Sequence, residues 1–74
     1  PQRQRRRGPY EAAILATCGA RLTSGAVTDD ESLIAGSLSL VPKPAGRDRR
    51  RESLARAIAK LRVAGLLPQK DARD

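Results

Sequence analysis

The chain has no histidine, methionine, phenylalanine or tryptophan, and only one tyrosine and one cysteine in 74 residues. Each absence removes a class of function. Without histidine there is no imidazole to act as a base or a metal ligand. With Cys18 as the lone thiol, neither an internal disulfide nor a cysteine metal cluster can form, which fits a reducing compartment. Cys18 sits among apolar residues and reads as a small buried hydrophobe rather than a nucleophile. No glycine-rich phosphate cradle occurs, and no base lies near the serines. An enzyme is therefore not expected, nor a cofactor, a metal or a small-molecule substrate. No apolar run reaches membrane-spanning length, and the short Ala-rich stretch 12–18 behind the basic start does not make a signal peptide. The expected location is the cytoplasm, associated with the nucleoid, without a membrane partner.

Aromatic side chains are so scarce that the core must come from Leu, Ile, Val and Ala, and it will be thin. The length suffices for one small domain. Such a domain is marginal alone and is expected to lean on its ligand, on a homodimer mate or on a larger parent polypeptide. The first residue is not Met, as in a piece of a longer protein.

Positive charge is abundant, with a net +7. It is also uneven. Residues 1–10 hold four arginines and no acid, 11–42 are net acidic, and 43–62 hold eight cations against two acids. Two basic blocks around an acidic middle call for a polyanion, with nucleic acid first among candidates. An anionic membrane surface fits less well, because neither block carries bulky apolar anchors.

Residues 1–8, PQRQRRRG, have nothing to bury and are expected to be a disordered basic arm. Arg5, Arg6 and Arg7 suit an arm along a DNA groove, or equally a solubilising tail. Pro9 then opens a first helix. Its buried stripe is Tyr10, Ala13, Ile14, Cys18 and Leu22, with Leu15 beside it and an end near Leu22. Residues 25–27 suit a short extended piece. Thr28 and Glu31 form a capping box for a second helix at 29–39. The acids Asp29, Asp30 and Glu31 are read as part of that helix start, not as a metal or acid–base site, since adjacent carboxylates do not converge on one point. Leu33, Ile34, Ser37, Leu38 and Val41 face inward. Gly36 either permits a close helix approach or merely weakens the helix.

The prolines at 42 and 44 enforce a stiff loop, which brings Lys43 and Arg47 beside the third helix. That helix reads from cap Asp48 through 49–64 to Gly65. Leu54, Ala57, Ile58, Leu61 and Ala64 share its inner face. Arg49, Ser53, Arg56 and Lys60 share a neighbouring face. Arg49, Arg50 and Arg51 crowd the first turn, where the helix dipole disfavours cations and an anionic partner would reverse the balance. The alternative is a solvated basic face on a core helix. Glu52 lies four residues before Arg56, so it either orients that arginine or occupies it. After Gly65, Leu66-Leu67 suits a first strand or a strap across the core, and 69–74 a polar tail.

The order of elements, Ala26-Val27-Thr28 leading into 29–39, and the run RESLARAIAKLRVAGLL (51–67) with its Gly-Leu step resemble the winged helix-turn-helix family of bacterial DNA-binding domains. The resemblance covers roughly residues 9–68. It implies a mostly α, three-helix domain, with the third helix in the major groove and Arg49, Ser53, Arg56 and Lys60 facing bases or phosphates. Lys43, Arg47, Arg50 and the arm are expected to belong to the same DNA-binding surface, Lys43 and Arg47 adding charge beside the start of the helix. The loop 41–47 is longer than the family's turn, and the residues after Leu67 leave a minimal or truncated wing. The function implied is sequence-specific binding of double-stranded DNA. It would serve transcription regulation, or anchor a larger replication, plasmid partition or transfer protein. Two alternatives are a protein-interaction module of the same shape with an acidic partner, and an RNA-binding module. The lack of aromatics for base stacking counts against single-stranded RNA.

Overall fold

Gly25 and Gly65 set the ends of two helices, and both have positive φ, 79° and 78°. In a computed structural model, which describes residues 8–68, they are the left-handed stops of α1 (Pro9–Ser24) and α3 (Arg50–Val63). Each stop is hydrogen-bonded in the same way. The Ala26 amide donates to the Arg21 carbonyl at 2.8 Å and the Gly25 amide to Leu22 at 3.2 Å. The Leu66 amide donates to Leu61 at 2.9 Å and the Gly65 amide to Arg62 at 3.0 Å. These paired bonds satisfy carbonyls that a helix end leaves open. Between the two lies α2 (Asp30–Ser37), followed by a 3-10 turn (Leu38–Leu40). No strand occurs among the described residues.

The three helices enclose one core. Ala13, Ile14 and Cys18 come from α1, Leu33 and Ile34 from α2, and Leu54, Ala57, Ile58 and Leu61 from α3. Val41 and Leu67 close it from the loop and from beyond α3, with Tyr10, Leu15 and Leu38 packed at its edge. Leu67 is therefore the anchor of a strap; Leu66, beside it, faces outward.

The inner faces differ from the expected ones in specific ways. α1 continues two residues past Leu22, and Leu22 is 55% exposed rather than in the core. A stripe of four-residue steps rotates about 40° per step, so by Leu22 it has left the core face. Thr17, buried, and Arg21, half-buried, take the intervening positions. Ala64 is also exposed, because it caps α3 where the chain turns away. Residues 25–27 form no strand, and Val27 is exposed. α2 is shorter than expected because its last turn tightens into the 3-10 turn.

The start of α2 is corrected as well. Asp29, not Thr28, is the N-cap, and no side-chain hydrogen bond closes a capping box. Shifting the cap by one puts Ser32 at the third helical position and frees Glu31 for Arg51. The Asp29 carboxyl is held below its ordinary range, chiefly by the Ser32 hydroxyl, then by local backbone amides and the charge of Arg21, with burial opposing.

Gly36 lies where α2 packs against α1: a Cβ there would lie 2.7 Å from Thr17 Cγ2, so the Thr17 side chain or its helix would have to shift. Next to it, the fully buried Ser37 Oγ lies 3.2 Å from the Ala13 carbonyl oxygen and 3.0 Å from Thr17 Oγ1. Ser37 donates to the carbonyl and Thr17 can donate to Ser37, so both buried hydroxyls are satisfied.

Candidate nucleic-acid interface

The basic residues of α3 and its approach loop divide into those held by the fold and those left to solvent. Arg50 is held most firmly. Its Nε and Nη2 donate to the Asp48 carboxylate at 3.0 Å, and Nη1 donates to the Leu38 carbonyl at 2.9 Å and Val41 at 3.4 Å. Its side chain is 15% exposed. Arg50, expected at the DNA surface, pins the start of α3 to the Leu38 and Val41 carbonyls at either end of the 3-10 turn.

Asp48 completes that pin and also caps the helix, from one position earlier than expected. The N-cap is Arg49, whose carbonyl accepts the Ser53 amide at 3.0 Å, while Asp48 Oδ1 accepts the Arg50 amide at 3.0 Å. Hydrogen bonds from the Arg50 side chain and amide hold the Asp48 carboxyl below its ordinary value of 3.8, helped by the charges of Arg50 and Lys43 and opposed by burial. The Arg50 guanidinium is correspondingly raised, first by its hydrogen bond to Asp48. A depressed carboxyl stabilises the fold above its unfolded pKa, and that stabilisation is lost as pH falls through the lower folded value. Asp48→Asn keeps an amide acceptor and loses the charge. Its urea midpoint should fall less steeply than the wild type's as pH drops below 3.8, with a residual slope from Asp29. Parallel curves for the two proteins would show that the pin contributes nothing through its charge.

Three more cations are paired. Arg51 Nη2 meets Glu31 Oε1 at 2.9 Å, with both side chains exposed. Lys60 Nζ lies 3.7 Å from Glu11 Oε2. Arg62 Nη2 lies 2.9 Å from Asp30 Oδ1 with the arginine only 14% exposed. That last contact lacks hydrogen-bond geometry, and Arg62 Nε and Nη1 have no acceptor among the described residues. Arg62 is a structural cation, and nothing within its own helix reveals its partner. Among the described residues, Lys43, Arg47, Arg49 and Arg56 make no ion pair. Lys43, Arg47 and Arg49 are exposed in the loop and at the start of α3, as the sequence suggested. Glu52 does not occupy Arg56.

Ser53, Arg56 and Lys60 share a surface, and α1 forms its other wall. With Ala57 they line a groove of about 230 Å³ whose opposite side is Gly8, Tyr10 and Glu11. Arg49 lies at the head of α3, outside the groove lining. Tyr10 and Glu11 were not foreseen as part of this surface. Arg5, Arg6 and Arg7 lie outside the described residues, but the chain that carries them enters the fold at Gly8, on the groove wall. The surface therefore offers exposed cations, a hydroxyl and the entry point of a basic segment, with no cluster of metal-binding side chains among the described residues. No described helix is long and apolar enough to cross a membrane. Comparison with protein-family models, with curated proteins and with solved structures gives no match.

Proposed function

We propose that this chain is a sequence-specific double-stranded DNA-binding module of winged helix-turn-helix type, with its wing reduced to the Leu66-Leu67 strap. In this reading α3 enters the major groove, Arg56 and Ser53 face base edges, and Arg49, Arg47 and Lys43 meet phosphates beside the helix start. The module acts as a transcription regulator or anchors a larger replication, partition or transfer protein at its site, alone or as a homodimer at the nucleoid. The observation that carries the reading is the unpaired Arg56 on the same groove as Gly8. It makes the basic face of α3 and the root of the basic arm one continuous surface for one polyanion.

A selection from random duplex DNA tests this reading directly. A consensus should emerge, and it should survive deletion of residues 1–8 if α3 reads the bases. Arg56→Ala should weaken the selected sequence by roughly 1–3 kcal/mol, the range for a bidentate base contact, and random DNA by less. Arg49→Ala should weaken both about equally, as a phosphate contact does. Equal losses for both variants would reduce Arg56 to a phosphate contact. No duplex binding at physiological salt, with tight binding to an acidic protein or to RNA, would replace the reading.

A further inference from the structure

The groove between α1 and α3 contains one feature at odds with a surface for polyanions. Glu11, in the first turn of α1, reaches across it to Lys60. The pair is loose: 3.7 Å separates Nζ from Oε2, beyond the 2.7–2.9 Å of a charge-assisted hydrogen bond. Lys60 is 73% exposed while Glu11 is 24% exposed. The lysine is thus free to swing out, and the carboxylate stays in the wall. Arg56 lines the same groove and has no acidic partner among the described residues. Liquid water occupies about 30 Å³ per molecule, so about 230 Å³ admits a phosphate and its first solvent.

We propose that this groove seats one backbone phosphodiester of the bound nucleic acid, and that Glu11 competes with that phosphate for Lys60. The proposal rests on the nucleic-acid reading above and adds a residue that restrains binding. Lys60 reaches the phosphate only after leaving Glu11, while Arg56 and Ser53 beside it stay free for base edges. Binding at any sequence must break the Glu11–Lys60 pair, so Glu11 lowers affinity for all duplexes. The penalty is the same at every sequence, so it lowers affinity without changing the difference between sites.

The test is a thermodynamic cycle of Glu11→Gln, Lys60→Ala and the double variant, each titrated with random-sequence duplex DNA across a range of salt. Circular dichroism checks that each stays helical. Glu11→Gln should bind several-fold more tightly than the wild type at low salt. In the wild type the vacated Glu11 carboxylate takes up a salt cation, which offsets the one that Lys60 releases from the DNA; in Glu11→Gln nothing is taken up, so the slope of log affinity against log salt should steepen by up to about 0.9, the value of one phosphate contact. In the double variant both gains should vanish. An unchanged slope in Glu11→Gln, or a gain that persists without Lys60, overturns the proposal, the latter by showing a general effect of net charge. Failure of the wild type itself to bind duplex DNA would instead remove the underlying reading, and this inference with it.

Discussion

Leu54→Ala should remove much of this domain's stability and move its urea midpoint far below that of the wild type. Leu54 is fully buried, on the central turn of α3, among side chains from all three helices. Truncating such a leucine costs about 2–5 kcal/mol, through lost transfer free energy and the cavity left behind. A domain of this size has a total stability of only about 3–9 kcal/mol at the usual 0.05–0.15 kcal/mol per residue. The neighbours cannot readily refill the space. Apart from Tyr10 at its edge the core has no aromatic ring, and it has no flexible methionine at all. The measurement is helical circular dichroism against urea. Val63→Ala is the matched control: Val63 is 90% exposed, and alanine is the better helix former. Its midpoint should hold or rise slightly. Similar midpoints for Leu54→Ala and Val63→Ala would show that α3 does not bury the face assigned to it.

Affinity for duplex DNA should fall steeply with salt, in two separable parts. Lys43, Arg47, Arg49 and Arg56 are the exposed cations with no ion pair among the described residues. With Arg56 on a base edge, three phosphate contacts remain and give a log–log slope of about −2.7, or a loss of about 40-fold between 50 and 200 mM salt. If the four arginines of residues 1–10 join them, the slope steepens to about −6 and the loss to about 6,000-fold. Deleting residues 1–8 should return the slope to the smaller value. A slope that ignores the deletion would make the basic start a solubilising tail. A slope near zero in the intact chain would leave the exposed cations without phosphate partners and refute the interface.

How much of this was legible in the sequence depended on how far each signal reached along the chain. The stop of α3 was legible, because a glycine after an amphipathic run decides the end of a helix locally. The inner residues Ile14, Leu33, Leu54 and Ile58 were legible for the same reason, since periodicity is a property of one helix. Leu22 was misplaced because a stripe of leucine-like residues can outrun the core it serves. The capping box at Thr28 looked complete by spacing, but Asp29 competed for the cap one residue on, and Glu31 had Arg51 within reach. The fates of the cations were least legible. Arg50 and Arg49 are neighbours with the same side chain, yet one is bound by carbonyls of residues 38 and 41 and the other faces solvent. Nothing in the local pattern separates them. Arg62 was overlooked because its partner Asp30 lies on another helix, and the groove was invisible because its walls meet only where α1 crosses α3.

The Arg50 pin has a consequence for how this molecule could change over evolutionary time. It ties the two ends of the segment 41–49 together, so the exposed residues between them form a closed ring outside the core. Lengthening such a ring disturbs nothing packed beneath it, and each doubling of its length costs only about 0.6 kcal/mol in closure entropy. Lys43 and Arg47 sit on that ring. Insertions and substitutions there could therefore change the charge and shape of this surface while the three helices stay as they are, making the proline loop the part of the described chain most open to innovation.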